Sequence, residues 1–250
     1  LRPTQLQAIG PILSGVNCLL LAPTAGGKTE AAIIPVLSRM MTDAWPGVSV
    51  IYVCPIKALL NNLEQRLSHY AGLVGRRVAV WHGDVTQSKK SHAIKDAPDI
   101  LLTNYKMLDY LLMRPKDRQL WERNAPTTLR YVVVDELHTF DGAQGTDLAL
   151  LLRRLRARLA VPEGHLICVG TSATLGTASD TGPLREYARQ LFASPFPEGS
   201  VITENRLSVA EFLGDSTIEH VLQPRADFAE VLDARRYRSQ EDAIAAWYEL

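Results

Sequence analysis

The sequence predicts an α/β protein built on a doubly wound, mainly parallel sheet with helices on both faces. Short apolar runs alternate with longer segments in which apolar residues recur at helical spacing. Several of these runs are almost continuously apolar, which is typical of strands that are covered on both faces of a parallel sheet. Because ligands bind beyond the carboxyl ends of such strands, we expect the chemistry to lie at the strand-to-helix turns.

Six apolar runs are the predicted strands, and four segments between them are the predicted helices. The strands cover residues 17–22, 48–54, 77–81, 99–103, 130–135 and 165–172. The helices cover residues 28–42, 57–71, 104–113 and 145–160. Beyond about residue 180 the pattern changes to a short helix, a proline-broken turn and a short strand, and then to helical sequence over 216–250. We therefore expect one compact domain at 1–180 and a linker or helical appendage at 181–250.

Composition and charge exclude several classes of protein. Hydrophobic residues make up 46% and charged residues 22% of the 250, which is the balance of a globular chain and not of a disordered one. Lys plus Arg and Asp plus Glu are equal at 27 each, so any surface for nucleic acid must be local. No signal peptide and no apolar run of membrane-spanning length is present in the sequence. Cys18, Cys54 and Cys168 each lie in an apolar run, and we expect buried free thiols in a reducing cytosol.

The segment APTAGGKT, residues 22–29, joins the first predicted strand to the first predicted helix. Backbone N–H groups in such a turn, together with the helix N-terminus, form a nest for a phosphate anion. We expect Lys28 to reach the β- and γ-phosphates and the Thr29 hydroxyl to ligate Mg²⁺. Alanine in place of glycine at the first position adds only a methyl group, so we expect the loop to remain functional. The competing interpretation is a chance turn of small residues. The residues assigned to the nucleotide are Ala22, Thr24, Ala25, Gly26, Gly27, Lys28 and Thr29.

The segment YVVVDELH, residues 131–138, places two adjacent carboxylates at the end of another buried strand. Asp135 is predicted to hold Mg²⁺, and Glu136 is predicted to polarise the attacking water as a general base. Taken alone, the pair would fit a helix N-cap equally well. The phosphate loop upstream favours the catalytic interpretation.

The segments APTAGGKT, DELH and GTSATL together resemble motifs I, II and III of the superfamily 2 DExD/H-box helicases. RPTQLQAI at 2–9 resembles the Q motif, PIKALLNNL at 55–63 resembles motif Ia, and HGD at 82–84 and TNYKML at 103–108 resemble the nucleic-acid-contacting segments that follow. The resemblance covers about residues 1–176. It implies the first RecA-like domain of a P-loop NTPase that uses ATP and Mg²⁺. The continuation LHTFDGAQGTDLALLLRRL is similar to large bacterial helicases of the Lhr-like and YprA-like kind, some of which are found in phage-defence or DNA-repair clusters.

The resemblance also implies roles for residues outside the phosphate loop. Gln5 would read the adenine edge, and His138 would link the hydrolysis site to motif III; a capping or core histidine is the competing interpretation of His138. Ser172, Ala173 and Thr174 would couple the nucleotide state to domain closure, although a polar strand end would look the same. Residues 56–57 and 61–62 depart from the usual motif Ia, which leaves the exact contacts to nucleic acid open. The nucleic-acid contacts implied are Pro55, Lys57, Gly83, Thr103 and Asn104.

A motor of this class needs a second RecA-like domain, whose arginine-finger segment of the Q-x-x-G-R-x-G-R kind is absent from this sequence. We therefore expect the front part of a larger motor, which binds ATP weakly and does not unwind duplexes alone. The expected partners are nucleic acid, DNA in preference to RNA, the second RecA-like domain and proteins of a defence or repair system; no membrane is expected, and the bacterial cytosol is the expected location. Two other functions stay open: a double-strand DNA translocase of a restriction or remodelling system, and a nucleotide-dependent switch or scaffold with residual ATPase.

Overall fold

The computed structural model describes residues 1–23, 26–43, 45–173, 181–203, 239 and 242. The chain divides into two compact units, Leu1–Asn205 and Arg206–Leu250, and the helices and strands named below belong to the first. The helical sequence expected over 216–250 lies outside the described residues, apart from two isolated positions. Within the described ranges, no helix combines the length and the apolar character that a membrane crossing requires.

One seven-stranded sheet forms the centre of the first unit, and all its paired strands run parallel. The strands lie in the order β3-β4-β2-β5-β6-β1-β7. Each of the six predicted runs contains one strand, which confirms the predicted fold class. The strands are β1 Cys18–Leu21, β2 Val50–Val53, β3 Val78–Trp81, β4 Ile100–Thr103, β5 Tyr131–Val134, β6 Ile167–Ser172 and β7 Val201–Thr203.

Seven α-helices of the described residues connect and cover these strands. The four predicted helices are present, and α2 begins and ends where the sequence indicated. The prediction missed α1, which contains Pro11 two residues before its end, and α4, whose single buried residue is Ala93 and which therefore has no apolar stripe. The helices are α1 Pro3–Leu13, α2 Lys28–Thr42, α3 Lys57–Leu73, α4 Gln87–Lys95, α5 Tyr105–Met113, α6 Gly142–Arg158 and α7 Gly182–Phe192.

The hydrophobic core consists of two layers, one on each face of the sheet. Helices α1, α2 and α3 bury their apolar residues against one face, and α5, α6 and α7 bury theirs against the other. Alternate residues of each strand therefore enter different layers, as the pleat of a strand requires. Cys18, Cys54 and Cys168 are buried free thiols, as predicted, and burial raises the pKa of Cys18 and Cys54 to about 12, with the charge of Asp135 adding to the effect at Cys54.

The compact unit extends past the boundary predicted at residue 180. Strand β7 pairs with β1, with Ile202 opposite Leu20, and so extends the sheet as an edge strand. Helix α7 packs beside α6, where the Arg156 guanidinium donates hydrogen bonds to the carbonyl of Phe192 and the hydroxyl of Ser194. Residues 181–203 thus belong to the first unit. That the chain leads on from there into a second motor domain stays a prediction.

Gly145 in α6 is a position where the fold needs the absence of a side chain. A Cβ atom at this buried residue would lie 2.8 Å from the carbonyl oxygen of Phe140. We expect Gly145→Ala to lower the free energy of unfolding by about 1–2 kcal/mol, since overpacking against backbone outweighs the gain of about 1 kcal/mol in helix propensity. Denaturant unfolding of the full-length protein measures this change.

Gly72 in α3 is the matched control, because a Cβ atom there meets no atom within 4 Å. Gly72→Ala is expected to raise the free energy of unfolding by about 0.5–1 kcal/mol. Equal effects of the two substitutions would contradict the close contact at Gly145.

Candidate functional site

The predicted motifs lie in two groups at the carboxyl ends of the strands. The phosphate loop follows β1, DELH follows β5, and GTSAT extends from β6; these three strands are neighbours in the sheet. The segments expected to contact nucleic acid follow β2, β3 and β4, which are neighbours on the other side of β5. Because the strands are parallel, both groups lie on the same side of the sheet, beyond the carboxyl ends of the strands, as expected for a doubly wound fold.

Lys28 begins α2 and points its ammonium group into the turn that precedes the helix. The side chain is buried, and Nζ donates a hydrogen bond of 2.9 Å to the carbonyl of Ala22. Nζ also lies 3.6 Å from Oε1 of Glu136, so the cation joins the loop after β1 to the loop after β5. Gly27 caps the helix with φ of 77°, a left-handed conformation that favours glycine. Thr24 and Ala25, which were also assigned to the nucleotide, lie outside the described residues.

Gln5 lies beside the phosphate loop, although it is 22 positions away in sequence. Its Nε2 donates to the carbonyl of Gly27 at 3.3 Å, and its Oε1 accepts from the backbone N–H of Arg2 at 2.9 Å. A Cβ atom at Gly27 would lie 2.4 Å from Nε2 of Gln5. The glycine therefore serves both the backbone turn and the approach of the glutamine amide.

Asp135 presents a buried carboxylate at the end of β5, with 5% of the residue exposed. Its Oδ1 accepts hydrogen bonds from the Thr171 hydroxyl and, at 3.1 Å, from the N–H of Glu136. Burial raises the pKa of Asp135, and the charge of Glu136 adds to the effect, whereas the Thr171 bond and Lys28 oppose it. A cation would offset the cost of burying this charge, and oxygen ligands suit Mg²⁺, so the Asp135 carboxylate fits the predicted metal.

Glu136 has a left-handed backbone, with φ of 49° and ψ of 52°, which is uncommon for a residue other than glycine. This conformation turns the chain sharply after β5. Its Oε1 lies 3.6 Å from Nζ of Lys28, and its Oε2 lies 3.4 Å from Nδ1 of His138. Strained residues of this kind cluster at functional sites, where surrounding contacts stabilise them.

His138 connects the acidic loop to the end of β6. Its Nδ1 lies 3.1 Å from the Ser172 hydroxyl. Contacts therefore run in sequence from Lys28 through Glu136 and His138 to Ser172, and they join three motifs that are far apart in the chain. Ala173 follows as a half-buried residue, and Thr174 lies outside the described residues.

Thr171 is a residue of this site that the sequence prediction missed. Its hydroxyl donates to the Asp135 carboxylate, and the side chain is fully buried. The signal was present, because Thr171 lies two residues beyond Val169, on the same face of the sheet as Asp135.

Four of the five residues expected to contact nucleic acid line one groove. Pro55, Lys57, Gly83 and Asn104 surround a cavity of about 430 Å³. Lys57 is half exposed, and its ammonium forms a 3.2 Å ion pair with Asp84. Tyr105, Lys106 and Met107, which belong to the predicted segment 103–108 but were not among the individual contacts, also line the groove. Tyr110 and Gln144, which lie outside the predicted segments, complete the lining.

Thr103 differs from the other four residues. It is fully buried, and its hydroxyl donates to the carbonyl of Trp81 at 2.8 Å, so it supports the end of β4 from below the groove. Asn104 is partly committed as well, because its Oδ1 accepts from the N–H of Met107 and caps α5. The groove thus offers chiefly exposed side chains and backbone around Lys57 and Lys106.

Comparison with known proteins adds independent observations. Residues 2–181 match the family model described as DEAD/DEAH box helicase. The ATP-dependent helicase Lhr-Core of Methanothermobacter thermautotrophicus is 35% identical over 204 residues, which cover 75% of this chain and 22% of that protein. The DUF1998 helicase MrfA, in a crystal structure bound to DNA, has a TM-score of 0.66 and 26% identity over 81% of this chain and 25% of its own.

The helicase Lhr of Mycobacterium smegmatis, in a structure bound to ssDNA and AMP-PNP, has a TM-score of 0.60 and 31% identity. The match covers 75% of this chain and 24% of that one. This chain therefore spans a quarter or less of the length of each of these three proteins.

Asp135→Asn tests the cost of the buried carboxylate, because it keeps the shape and the bond from Thr171. We expect the melting temperature of the nucleotide-free protein to rise by about 2–4 °C, which corresponds to about 1 kcal/mol in a domain of this size. The reason is that burial penalises the ionised form. ATP turnover is expected to be lost in the same variant, because the substitution removes the predicted metal ligand. Calorimetry and a phosphate-release assay provide the two measurements.

Asp147→Asn, an exposed position in α6, is the control and should leave both quantities nearly unchanged. A lower melting temperature for Asp135→Asn would mean that the hydrogen bonds to the carboxylate outweigh its cost of burial.

Proposed function

Because the chain belongs to the DEAD/DEAH box helicase family, we propose that it is the ATP-binding and ATP-hydrolysing motor domain of a helicase that acts on DNA. The observation that carries the proposal is the series of contacts from Lys28 through Glu136 and His138 to Ser172. It places a cation, a carboxylate, a histidine and a hydroxyl from three loops at one end of the sheet. A series of this kind can respond to the presence of a γ-phosphate.

Each residue of the site has a role in the proposed hydrolysis. Lys28 and the N–H groups at the start of α2 bind the phosphates, and Gln5 reads the adenine edge of the nucleotide. Glu136 accepts the proton of the attacking water as that water adds to the γ-phosphorus. Thr29 and Asp135 would hold Mg²⁺, which would supply positive charge to offset that of the phosphates. His138 then transmits the change in the site to Ser172 of motif III, which couples it to domain closure.

The proposed substrate is DNA, bound in the groove around Lys57 and Lys106. Two supports favour DNA: MrfA and the mycobacterial Lhr were both crystallised or solved with DNA, and both resemble this chain at more than 25% identity. Contacts to phosphate and backbone are independent of base sequence, and the residues lining this groove suit such contacts.

The proposal extends to the remainder of the motor and to its surroundings. A second RecA-like domain would close the nucleotide site and supply the arginine finger. The buried free cysteines suit a reducing compartment, and we place the protein in the bacterial cytosol. Partner proteins from a defence or repair system rest on the resemblance to Lhr-like helicases alone.

The experiment that tests the function is ATP turnover by the full-length protein with single-stranded DNA, duplex DNA or RNA. We expect DNA to stimulate turnover more than RNA does. Glu136→Gln is expected to lower the stimulated rate by about 10²–10⁴-fold, because the general base is lost. Lys28→Ala is expected to abolish turnover through loss of phosphate binding. Strand displacement, measured in parallel, separates a helicase from a double-strand translocase.

Glu163→Gln is the control for charge, since Glu163 is exposed and precedes β6 at the opposite edge of the sheet. It should behave as the wild type does. Turnover that responds to no nucleic acid would favour a nucleotide-dependent switch over a motor.

Lys57 provides a separate test of the groove. Lys57→Ala is expected to weaken binding of single-stranded DNA and to reduce the slope of log affinity against log salt by about 0.7, because about one phosphate contact is lost. Turnover without nucleic acid should stay unchanged, since Lys57 lies outside the nucleotide site. Fluorescence anisotropy at several salt concentrations measures the slope.

Asp84→Asn sharpens this test, because Asp84 pairs with Lys57 at 3.2 Å. Removing the competing carboxylate should tighten DNA binding. Lys116→Ala, an exposed lysine that does not line the groove, is the control for loss of charge. Equal effects of Lys57→Ala and Lys116→Ala would exclude the groove as the binding path.

A further inference from the structure

We propose that the hydroxyl of Tyr52 is a positioning group of the nucleotide site, which orients the Asp135 carboxylate and the Thr29 hydroxyl for Mg²⁺. This inference rests on the proposed function and adds a residue to it. Tyr52 lies in β2, outside the phosphate loop, DELH and GTSAT. The sequence predicted no role for it beyond membership of a buried strand.

The register of the sheet places Tyr52 beneath the site. Tyr52 lies opposite Val133 in β5, and Asp135 is two residues beyond Val133. Side chains two apart in a strand share a face, so Tyr52 and Asp135 point to the same side of the sheet. Helix α2 covers that side, and its first turn contains Thr29. The phenol therefore reaches from the core towards the two residues assigned to the metal.

The hydroxyl of Tyr52 is buried without a hydrogen-bond partner. Tyr52 is 0% exposed, and among the described residues its oxygen has no partner at hydrogen-bonding distance. Buried polar groups in folded proteins are nearly always hydrogen-bonded, because an unpaired one loses its interaction with water and gains nothing. Phenylalanine would fill the same space without this cost. An unpaired hydroxyl at this place therefore calls for an explanation other than packing.

The polar groups near the hydroxyl indicate what it binds. Burial raises the pKa of Tyr52, and the nearby negative charge of Asp135 raises it further. A phenol hydroxyl can donate a hydrogen bond, and a carboxylate can accept one. In Asp135, Oδ1 already accepts two bonds, from Thr171 and from the N–H of Glu136. The register places Tyr52 on the same face of the sheet as this carboxylate, for which its hydroxyl is a further donor.

The chain offers a matched comparison in Tyr131. This tyrosine lies on the same face of the sheet and is also fully buried, but its hydroxyl donates to the carbonyl of Ile12 at 3.1 Å. Ile12 belongs to α1 and has no role in the site. Removal of the two hydroxyls should therefore have different consequences. Loss of the Tyr131 hydroxyl should lower stability, and loss of the Tyr52 hydroxyl should weaken binding of the metal.

The experiment compares Tyr52→Phe with Tyr131→Phe in the full-length protein. Binding of a fluorescent non-hydrolysable ATP analogue is titrated with Mg²⁺, and the melting temperature is measured without ligands. For Tyr52→Phe we expect the Mg²⁺ concentration at half-maximal binding to rise about tenfold, as loss of a hydrogen bond to a charged group predicts. Its melting temperature should stay equal to that of the wild type or rise. Tyr131→Phe should lower the melting temperature and leave the Mg²⁺ midpoint unchanged.

Tyr52→Met, which also lacks the hydroxyl, must reproduce the shift in the Mg²⁺ midpoint and keeps the test valid if one variant folds poorly. An unchanged midpoint in a Tyr52 variant that binds the analogue would overturn the role of Tyr52 and leave the proposed function intact. Wild-type protein that binds the analogue equally well at every Mg²⁺ concentration would instead overturn both.

Discussion

The Asp135 carboxylate lies at the end of a buried strand, where an anion raises the free energy of the fold unless donors or a cation compensate it. Thr171 and the N–H of Glu136 provide two donors, and Lys28 adds a positive charge on the far side of the site. These groups come from β6, β5 and the start of α2. The need to stabilise one buried charge thus holds three loops at fixed positions, and a bound metal would complete the same arrangement.

The order of the strands determines which segments lie beside Asp135. Strand β5 pairs with β6 on the side of the phosphate loop and with β2 on the side of the groove. A change at Asp135 or Glu136 can therefore reach Tyr52 and Pro55 through two adjacent strands, as well as Ser172 through His138. The paired strands β5 and β2 thus connect the proposed nucleotide site to the groove around Lys57.

Much of the fold and of the site could be predicted, because apolar runs and small-residue turns reflect local physics. The apolar run at 131–134 is typical of a strand that is buried on both faces, and the glycines before Lys28 are typical of a phosphate-binding loop. Other features depend on tertiary contacts. Helix α4 buries only Ala93, so its apolar pattern is too weak to detect. The left-handed Glu136, the buried Thr103 and the bond from Thr171 arise from chain segments that meet only after folding. The pairing of β7 with β1 likewise required knowledge of a distant strand.

Because all the paired strands run parallel, their amino ends lie on one side of the sheet and their carboxyl ends on the other. The side at which the strands begin has a practical value. Turns such as the one at Glu163 and Gly164 are exposed there, on the far side of the sheet from the nucleotide site and the groove. Because Cys18, Cys54 and Cys168 are buried, a cysteine introduced at Glu163 would be the thiol most accessible to a maleimide within the described residues. A tether or fluorophore attached at this turn would leave the carboxyl ends of the strands free.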